Sequence, residues 1–180
     1  MAVVVRRATE DELPWIWRLV HDVYLKAGLI EPQMDGFFSH YPRLDCIPET
    51  IPLVAVEDGK RVGTMSLTMD GTRGLPPEDD YPGEMDALRR EGHRLASCWR
   101  LAVVDGFDVA LPLMRSMVDI AVNEFDEPTV AVECHPNHGR FYRGLMGFEQ
   151  IGERPDTKGL SCAPSWLMVG GHGTYSRLLK

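Results

Sequence analysis

Four cysteines, Cys46, Cys98, Cys134 and Cys162, are the side chains here with the widest chemical reach. Metal sites and redox pairs usually show close spacing, since two thiolates must reach one ion or each other, yet no C-x-x-C pair occurs. The thiols are scattered over segments that read as strands or loops, the pattern of reduced cysteines packed as small hydrophobes. A zinc site from Cys98, Cys134 and His135 would need neighbouring strands to bring the three together, and no bound metal is expected. Charge excludes a second class of chemistry. With 19 Lys and Arg against 27 Asp and Glu, the net charge is −8. A general nucleic-acid binder draws its affinity from a cationic surface, so no nucleic-acid partner is expected, and an acidic partner would need a local basic patch.

The elements that must position these residues follow from pattern. At 180 residues, 44% hydrophobic and 26% charged, the chain reads as one globular domain spanning 1–180. No apolar run approaches the ~20 residues of a membrane span. Met1-Ala2-Val3-Val4-Val5 before Arg6-Arg7 is too short for a signal peptide and has its charges on the wrong side, so a soluble, cytoplasmic protein is expected. Val3–Ala8 reads as a strand. Thr9-Glu10-Asp11-Glu12 then caps an amphipathic helix running to Gly28. The stretch punctuated by Pro32, Gly36, Pro42 and Pro48 reads as loop and short helix over one face. Ile51–Glu57 and Arg61–Thr68 flank Asp58-Gly59-Lys60 as a hairpin, because such a turn needs residues that accept positive φ. An insertion over about 70–93 ends in a helical Ala87–Arg90, and Arg94–Val104 is the next strand. A helix from about Ala110 to Phe125, a strand at Thr129–Cys134, a helix from His138 to Met146 closed by Gly147, and strands near 148–153 and 164–169 complete the order. Gly170-Gly171-His172-Gly173 reads as a joint before a flexible tail at about 170–180. The sum is mixed α+β around one central sheet.

That order, together with Pro136-Asn137-His138-Gly139-Arg140-Phe141-Tyr142-Arg143-Gly144-Leu145-Met146-Gly147-Phe148-Glu149, resembles the GNAT superfamily. More narrowly, Val62–Leu67, Asp70, Gly74-Leu75-Pro76, Tyr81, Glu84–Arg89, Arg94-Leu95-Ala96 and Arg100–Val103 appear in the order of the FeeM-type long-chain N-acyl amino acid synthases, which are relatives of the acyl-homoserine lactone synthases. The resemblance covers roughly residues 5–155. It implies a GNAT fold: a central mixed, mostly antiparallel sheet, flanked by helices, whose fourth and fifth strands splay apart. It also implies transfer of a fatty acyl group from acyl carrier protein to the amine of an amino acid, with acetyl-CoA-dependent acetyl transfer or a non-catalytic acyl-binding module as alternatives. Where the family has Glu, a variable apolar residue and Ser before the Arg, this chain has Ser97, Cys98 and Trp99 before Arg100. A carboxylate expected at the reaction centre is missing.

Given that resemblance, the splayed strands should leave backbone amides free to bind a pantetheine arm. The gap is placed between Leu101-Ala102-Val103-Val104 and Val130–Glu133, where N–H groups near Leu101 to Val103 would hold the oxyanion. Tyr142 is the candidate donor to the leaving thiolate, and Glu84, Glu133 and His135 are the candidate bases. Each has a plainer alternative: Tyr142 a packed ring, Glu133 a solvated strand end, His135 a loop residue, Glu84 part of the acidic surface with Glu78-Asp79-Asp80. Arg100, Asn137 and His138 are further site candidates by motif position. Asp105-Gly106-Phe107-Asp108 carries two acids where CoA enzymes have a glycine-rich phosphate turn, which favours acyl carrier protein over acyl-CoA as co-substrate, docked by Arg115, Arg140 and Arg143. Leu75, Met85 and Leu88 of the insertion, with Met65 and Leu67, are expected to wall an acyl channel, or else to be ordinary core. Trp99 is expected to plug that channel or to stack on an aromatic substrate.

Overall fold

Asp58 and Gly59 behave as their turn requires, taking φ of 50° and 74°. They join β2 (Thr50–Glu57) to β3 (Lys60–Met69), which pair antiparallel from Glu57↔Lys60 to Thr50↔Thr68. The computed structural model describes residues 2–104, 106–156, 163–171 and 174. Around the hairpin it assembles β1 (Val4–Arg7), β4 (Leu95–Val103), β5 (Thr129–Cys134), β6 (Glu149–Arg154) and β7 (Ser165–Gly170) into one sheet of order β1-β2-β3-β4-β5-β7-β6. The sheet is mixed and mostly antiparallel, and β4–β5 is the parallel pair among the described residues. Parallel neighbours need a long crossover, which α3 (Gly106–Phe125) supplies.

Each face of the sheet is covered by helices whose apolar residues recur at helical spacing. On one face α3 buries Val109, Leu113, Met114, Met117 and Val118 against Leu53, Met65, Leu67, Cys98 and Val132. On the other, α1 (Leu13–Lys26) buries Ile16, Leu19, Val20 and Tyr24 on Val54 and Ala102. Beside it, α2 (Pro82–Arg90) buries Met85 and Leu88 on Leu95, Ala131 and Leu167. Each such side chain contributes about 1.5–3 kcal/mol of burial. A turn over Glu10–Glu12 leads into α1, where the Glu12 carboxylate accepts the Thr9 N–H at 3.0 Å.

Helices begin earlier than the sequence reading places them, for a recurring reason. α2 starts at Pro82 rather than Ala87, and α4 (Pro136–Phe141) at Pro136 rather than His138. A proline fits the first turn, where its missing N–H would have no partner anyway. α3 starts at Gly106 rather than Ala110, with Asp108 favourably placed in its first turn. After Phe141 the helix widens into a π-helical turn over Tyr142–Met146. Gly170 closes β7 instead of opening a joint, while Cys162, His172, Gly173 and 175–180 lie outside the described residues.

Candidate active site

β4 and β5 pair through Leu95↔Thr129, Ala96↔Val130 and Ser97↔Ala131, and then part. Among the described residues no strand pairing joins Cys98–Val103 to Val132–Cys134. The cause lies on the other edge of β4. Its register with β3 steps from Thr64↔Ala102 to Ser66↔Trp99, so β4 carries one extra residue there, and Arg100 takes φ 44°. Such a bulge bends and twists its strand, swinging the end of β4 away from β5. The opening therefore begins at Cys98 and Val132. Val130 and Ala131, expected to border the gap, are still zipped to β4.

The parted strands open a cavity of about 230 Å³ that passes through the sheet. Ser97, Cys98, Trp99, Arg100 and Leu101 line it from β4, and Val132, Glu133 and Cys134 from β5. Tyr24, His40 and Tyr41 close the α1 side, Pro76 and Asp80 come from the insertion, and His135, His138 and Tyr142 lie around α4. Buried polar atoms are normally paired. Among the described residues, five buried side-chain nitrogens and oxygens of this lining lack a partner: His40 Nδ1 and Nε2, Ser97 Oγ, Arg100 Nη2 and Glu133 Oε2. That concentration marks a place built to meet a polar ligand.

Arg100 is the most constrained of them. Its side chain is fully buried, Nε donates to Ser66 Oγ at 2.6 Å, Nη1 pairs with Asp45, and the guanidinium lies 4.2 Å from the Trp99 ring centre. Burial lowers its pKa and Asp45 opposes that shift. Asp45 in turn accepts from Trp17 Nε1 at 2.9 Å and from Ser39 Oγ at 2.5 Å. Nη2, without a partner, is left for the cavity.

Glu133 projects from β5 next beyond Ala131 on the same face, and Ala131 is the partner of Ser97. Desolvation pushes its carboxyl up to about 7; a hydrogen bond from Ser165 opposes the rise, and Asp80 and Asp79 reinforce it. A carboxyl poised there exchanges protons at neutral pH. His40 is held neutral, its pKa pushed down to about 3 by burial and then by Arg100, and its ring stacks on Tyr41 at 4.1 Å. Burial raises the Tyr142 phenol well above its ordinary value, which keeps it a proton donor. Burial also raises Cys98 and Cys134 to about 12, so both stay thiols.

Of the residues singled out in the sequence, the cavity gathers Glu133, His135, His138, Tyr142, Arg100, Trp99, Leu101 and Met65. Glu84 is not among them, because its carboxylate is held by Arg154 at 2.8 and 3.1 Å. Ala102 packs on α1 and Val103 toward α3, while Asn137 is exposed and gives its backbone N–H to His135 Nδ1 at 3.3 Å. Leu75 and Leu88, expected to share a channel with Met65 and Leu67, lie on the opposite face in the α2 cluster. Strand alternation separates the two sets. Trp99 does not plug the opening: its N–H donates to Thr68 Oγ1 at 2.9 Å, it packs on Tyr41 and Leu44, and the cavity remains beside it. Arg140 and Arg143 are exposed around α4, whereas Arg115 lines a surface groove with Arg6 and Arg7 at the β1 edge, so the three form no single patch. Among the described residues no group of three or more His, Cys, Asp or Glu is placed to hold a metal ion.

Asp45, Ser66, His40, Tyr41 and Ser165 escaped the sequence reading. One signal was present: Thr64, Ser66 and Thr68 put hydroxyls on one face of β3 while Met65, Leu67 and Met69 fill the other. Hydroxyls at a period of two inside a buried strand imply polar partners above them.

A second, wholly apolar space of about 20 Å³ adjoins the first. Met65, Cys98, Val132 and Tyr142 line both, and Met114, Met117, Ala121 and Met146 enclose the second between sheet and α3.

The family model "N-acyl amino acid synthase FeeM" matches residues 16–170. Among solved structures, FeeM, an N-acyl amino acid synthase from uncultured soil microbes, superposes with a TM-score of 0.81 at 23% identity, covering 96% of this chain and 92% of that one. The CoA-dependent acyl-homoserine lactone synthase BjaI, solved with SAM and isopentyl-CoA, gives 0.67 at 16% identity over 98% and 88% of the two chains. The aminoglycoside acetyltransferase AAC(6')-Ib with coenzyme A and kanamycin gives 0.62 at 18%, covering 98% of each. At these identities the structures establish the shared GNAT fold. No curated protein matches the chain in sequence.

Proposed function

The chain belongs to the N-acyl amino acid synthase FeeM family and is an N-acyltransferase, and we propose that it moves a medium- or long-chain fatty acyl group from an acyl carrier protein thioester to the amine of an amino acid. The observation that carries this reading is the convergence of the unpartnered Ser97, Arg100 and Glu133 atoms on the cavity opened by the parted strands. The pantetheine arm lies between β4 and β5, where its amides meet backbone groups released by the missing pairing. Arg100 Nη2 takes the acceptor's carboxylate, a charge-assisted bond that selects amino acids over plain amines. Glu133 takes a proton from the ammonium, supplying from β5 the carboxylate that Ser97 lacks on β4. The freed amine attacks the thioester carbonyl, and N–H groups of β4 near Leu101 hold the oxyanion. The carbon–sulfur bond then breaks, and the second proton shed by nitrogen ends on the departing thiolate by way of Tyr142.

The acyl tail enters the apolar space beneath α3. Met114, Met117 and Met146 are unbranched and adaptable, suited to yielding along a flexible chain, and each buried methylene adds about 0.8 kcal/mol. For the donor, the first turn of α3 presents Asp108, which disfavours the pyrophosphate of CoA, while the exposed Arg140 and Arg143 suit an acidic carrier surface. A cytoplasmic enzyme and a single domain over 1–180 complete the proposal. No helix among the described residues is long and apolar enough to cross a membrane.

The test is to incubate the purified protein with acyl carrier proteins loaded with C4 to C16 chains and a mixture of amino acids. An N-acyl amino acid and free carrier thiol are expected by mass spectrometry. Amide formation from acyl-CoA alone, with no carrier turnover, would overturn the donor assignment; thioester binding without any amide would overturn the activity.

A further inference from the structure

His40 lines the cavity in the manner of a ligand-binding group rather than a packing one. Its ring is wedged among four others: it stacks on Tyr41 and Phe38 with centres 4.1 and 5.6 Å away, and meets Tyr24 and Trp99 edge-on at 5.6 and 6.1 Å. Its backbone takes φ 72°, a left-handed conformation that strains any residue with a side chain. A phenylalanine ring would fill this box as well, yet both imidazole nitrogens are buried in it without a partner.

The imidazole and Arg100 border one wall of the cavity, since the guanidinium lies 4.2 Å from the centre of the same Trp99 ring that His40 approaches. Arg100 has little left to give. Its Nε is used by Ser66 Oγ and its Nη1 by Asp45, so Nη2 alone faces a ligand. A guanidinium grips a carboxylate best through parallel N–H bonds from two nitrogens, one to each oxygen. With one nitrogen free, it meets one oxygen. The other oxygen, taken out of water beside it, needs a donor of its own. Ser97 Oγ is also unpartnered, but it stands at the last rung paired to Ala131, toward Glu133. His40 stands on the side of Arg100.

Resting on the assignment of Arg100 Nη2 to the acceptor's carboxylate, we infer that His40 is a specificity-determining residue whose ring N–H donates to the second oxygen of that carboxylate. The ring box holds the imidazole in place before the amino acid arrives, so little side-chain freedom is lost on binding. Burial and Arg100 keep the ring neutral, so one nitrogen donates while the positive charge of the site stays on the guanidinium.

The experiment compares kcat/KM for the amino acid turned over fastest with that for its decarboxylated amine, in wild type, His40→Phe, His40→Asn, His40→Gln, Ser97→Ala and Arg100→Lys, with thermal melts alongside. His40→Phe keeps a ring and removes the donor. His40→Asn keeps a donor where Nδ1 stands, and His40→Gln one where Nε2 stands. The preference for the amino acid is expected to fall roughly 10- to 100-fold in His40→Phe, as loss of a hydrogen bond to a charged group would, and to be regained in the amide variant that matches the donating nitrogen. Phenylalanine tolerates a left-handed backbone less well than histidine, so wild type is read directly too. NMR of its imidazole N–H protons, with His40 assigned by the signal missing from His40→Gln, should show that proton shifting with saturating amino acid and not with the amine. If Arg100→Lys lowers the preference while His40→Phe leaves it intact, or if Ser97→Ala takes the effect instead, or if the imidazole proton ignores the amino acid, the inference falls and the Arg100 assignment stands. If wild type shows no preference for the amino acid over the amine, the carboxylate assignment fails and this inference with it.

Discussion

The two halves of the β4–β5 pair are built from adjacent residues and do opposite work. Leu95–Ser97 and Thr129–Ala131 are hydrogen-bonded in register, and Leu95, Ala96, Val130 and Ala131 are packed from both faces. One residue further, the ladder stops, and Arg100 and Glu133 stand at an opening with buried atoms unpaired. A single inserted residue at Arg100 separates these regimes. The contrast teaches that the chemistry is localised by where backbone pairing ends, and that the zipped half fixes how far apart the two strands can spread.

Breaking the open half at its base gives the largest expected effect. Glu133→Gln should lower kcat/KM for the amino acid by roughly 10²–10⁴ in steady-state assays, the range of general-base catalysis. Next is Arg100. Arg100→Lys should raise KM for amino acids about 10- to 100-fold, as loss of a hydrogen bond to a charged group would, and leave a carboxylate-free amine of similar shape unaffected. Comparing the two acceptors checks it. A smaller change sharpens the apolar side: Ala121→Phe should move the preferred acyl chain to shorter lengths, each lost methylene costing about 0.8 kcal/mol of binding, read from competition between carriers loaded with different chains.

The least effect is on stability. The folded Glu133 carboxyl sits at about 7 against an ordinary 4.5, so between those values the unfolded chain ionises while the folded one does not. Native stability from this group is therefore present below about 4.5 and lost as pH rises to about 7. Glu133→Gln removes that loss: its Tm should match wild type at pH 4 and exceed it at pH 8.

Much of the closed architecture was legible in the sequence. Asp58-Gly59 between its two flanking strands and the helical spacing of α1 and α3 are local signals, and the structure follows them. The site was legible only in part. Nothing local relates Asp45 to Arg100, 55 positions apart, or shows His40 stacked on Tyr41 at the cavity from a loop without periodicity. Glu84 and Glu133 look alike in sequence; Arg154, brought from β6, neutralises one, and burial without a full set of partners tunes the other. Of the two readings of the insertion's apolar residues, channel wall or ordinary core, the structure gives core, and the sequence could not choose because such residues name a core without saying which face of the sheet receives it.

The most direct measurement is a crystal structure with a non-hydrolysable acyl-pantetheine analogue. The pantetheine amides should bond the backbone of β4 beyond Ser97 within the gap, with the acyl carbonyl facing Glu133 and the tail beneath α3. An analogue bound elsewhere, or β4 and β5 paired along their whole length around it, would contradict the account.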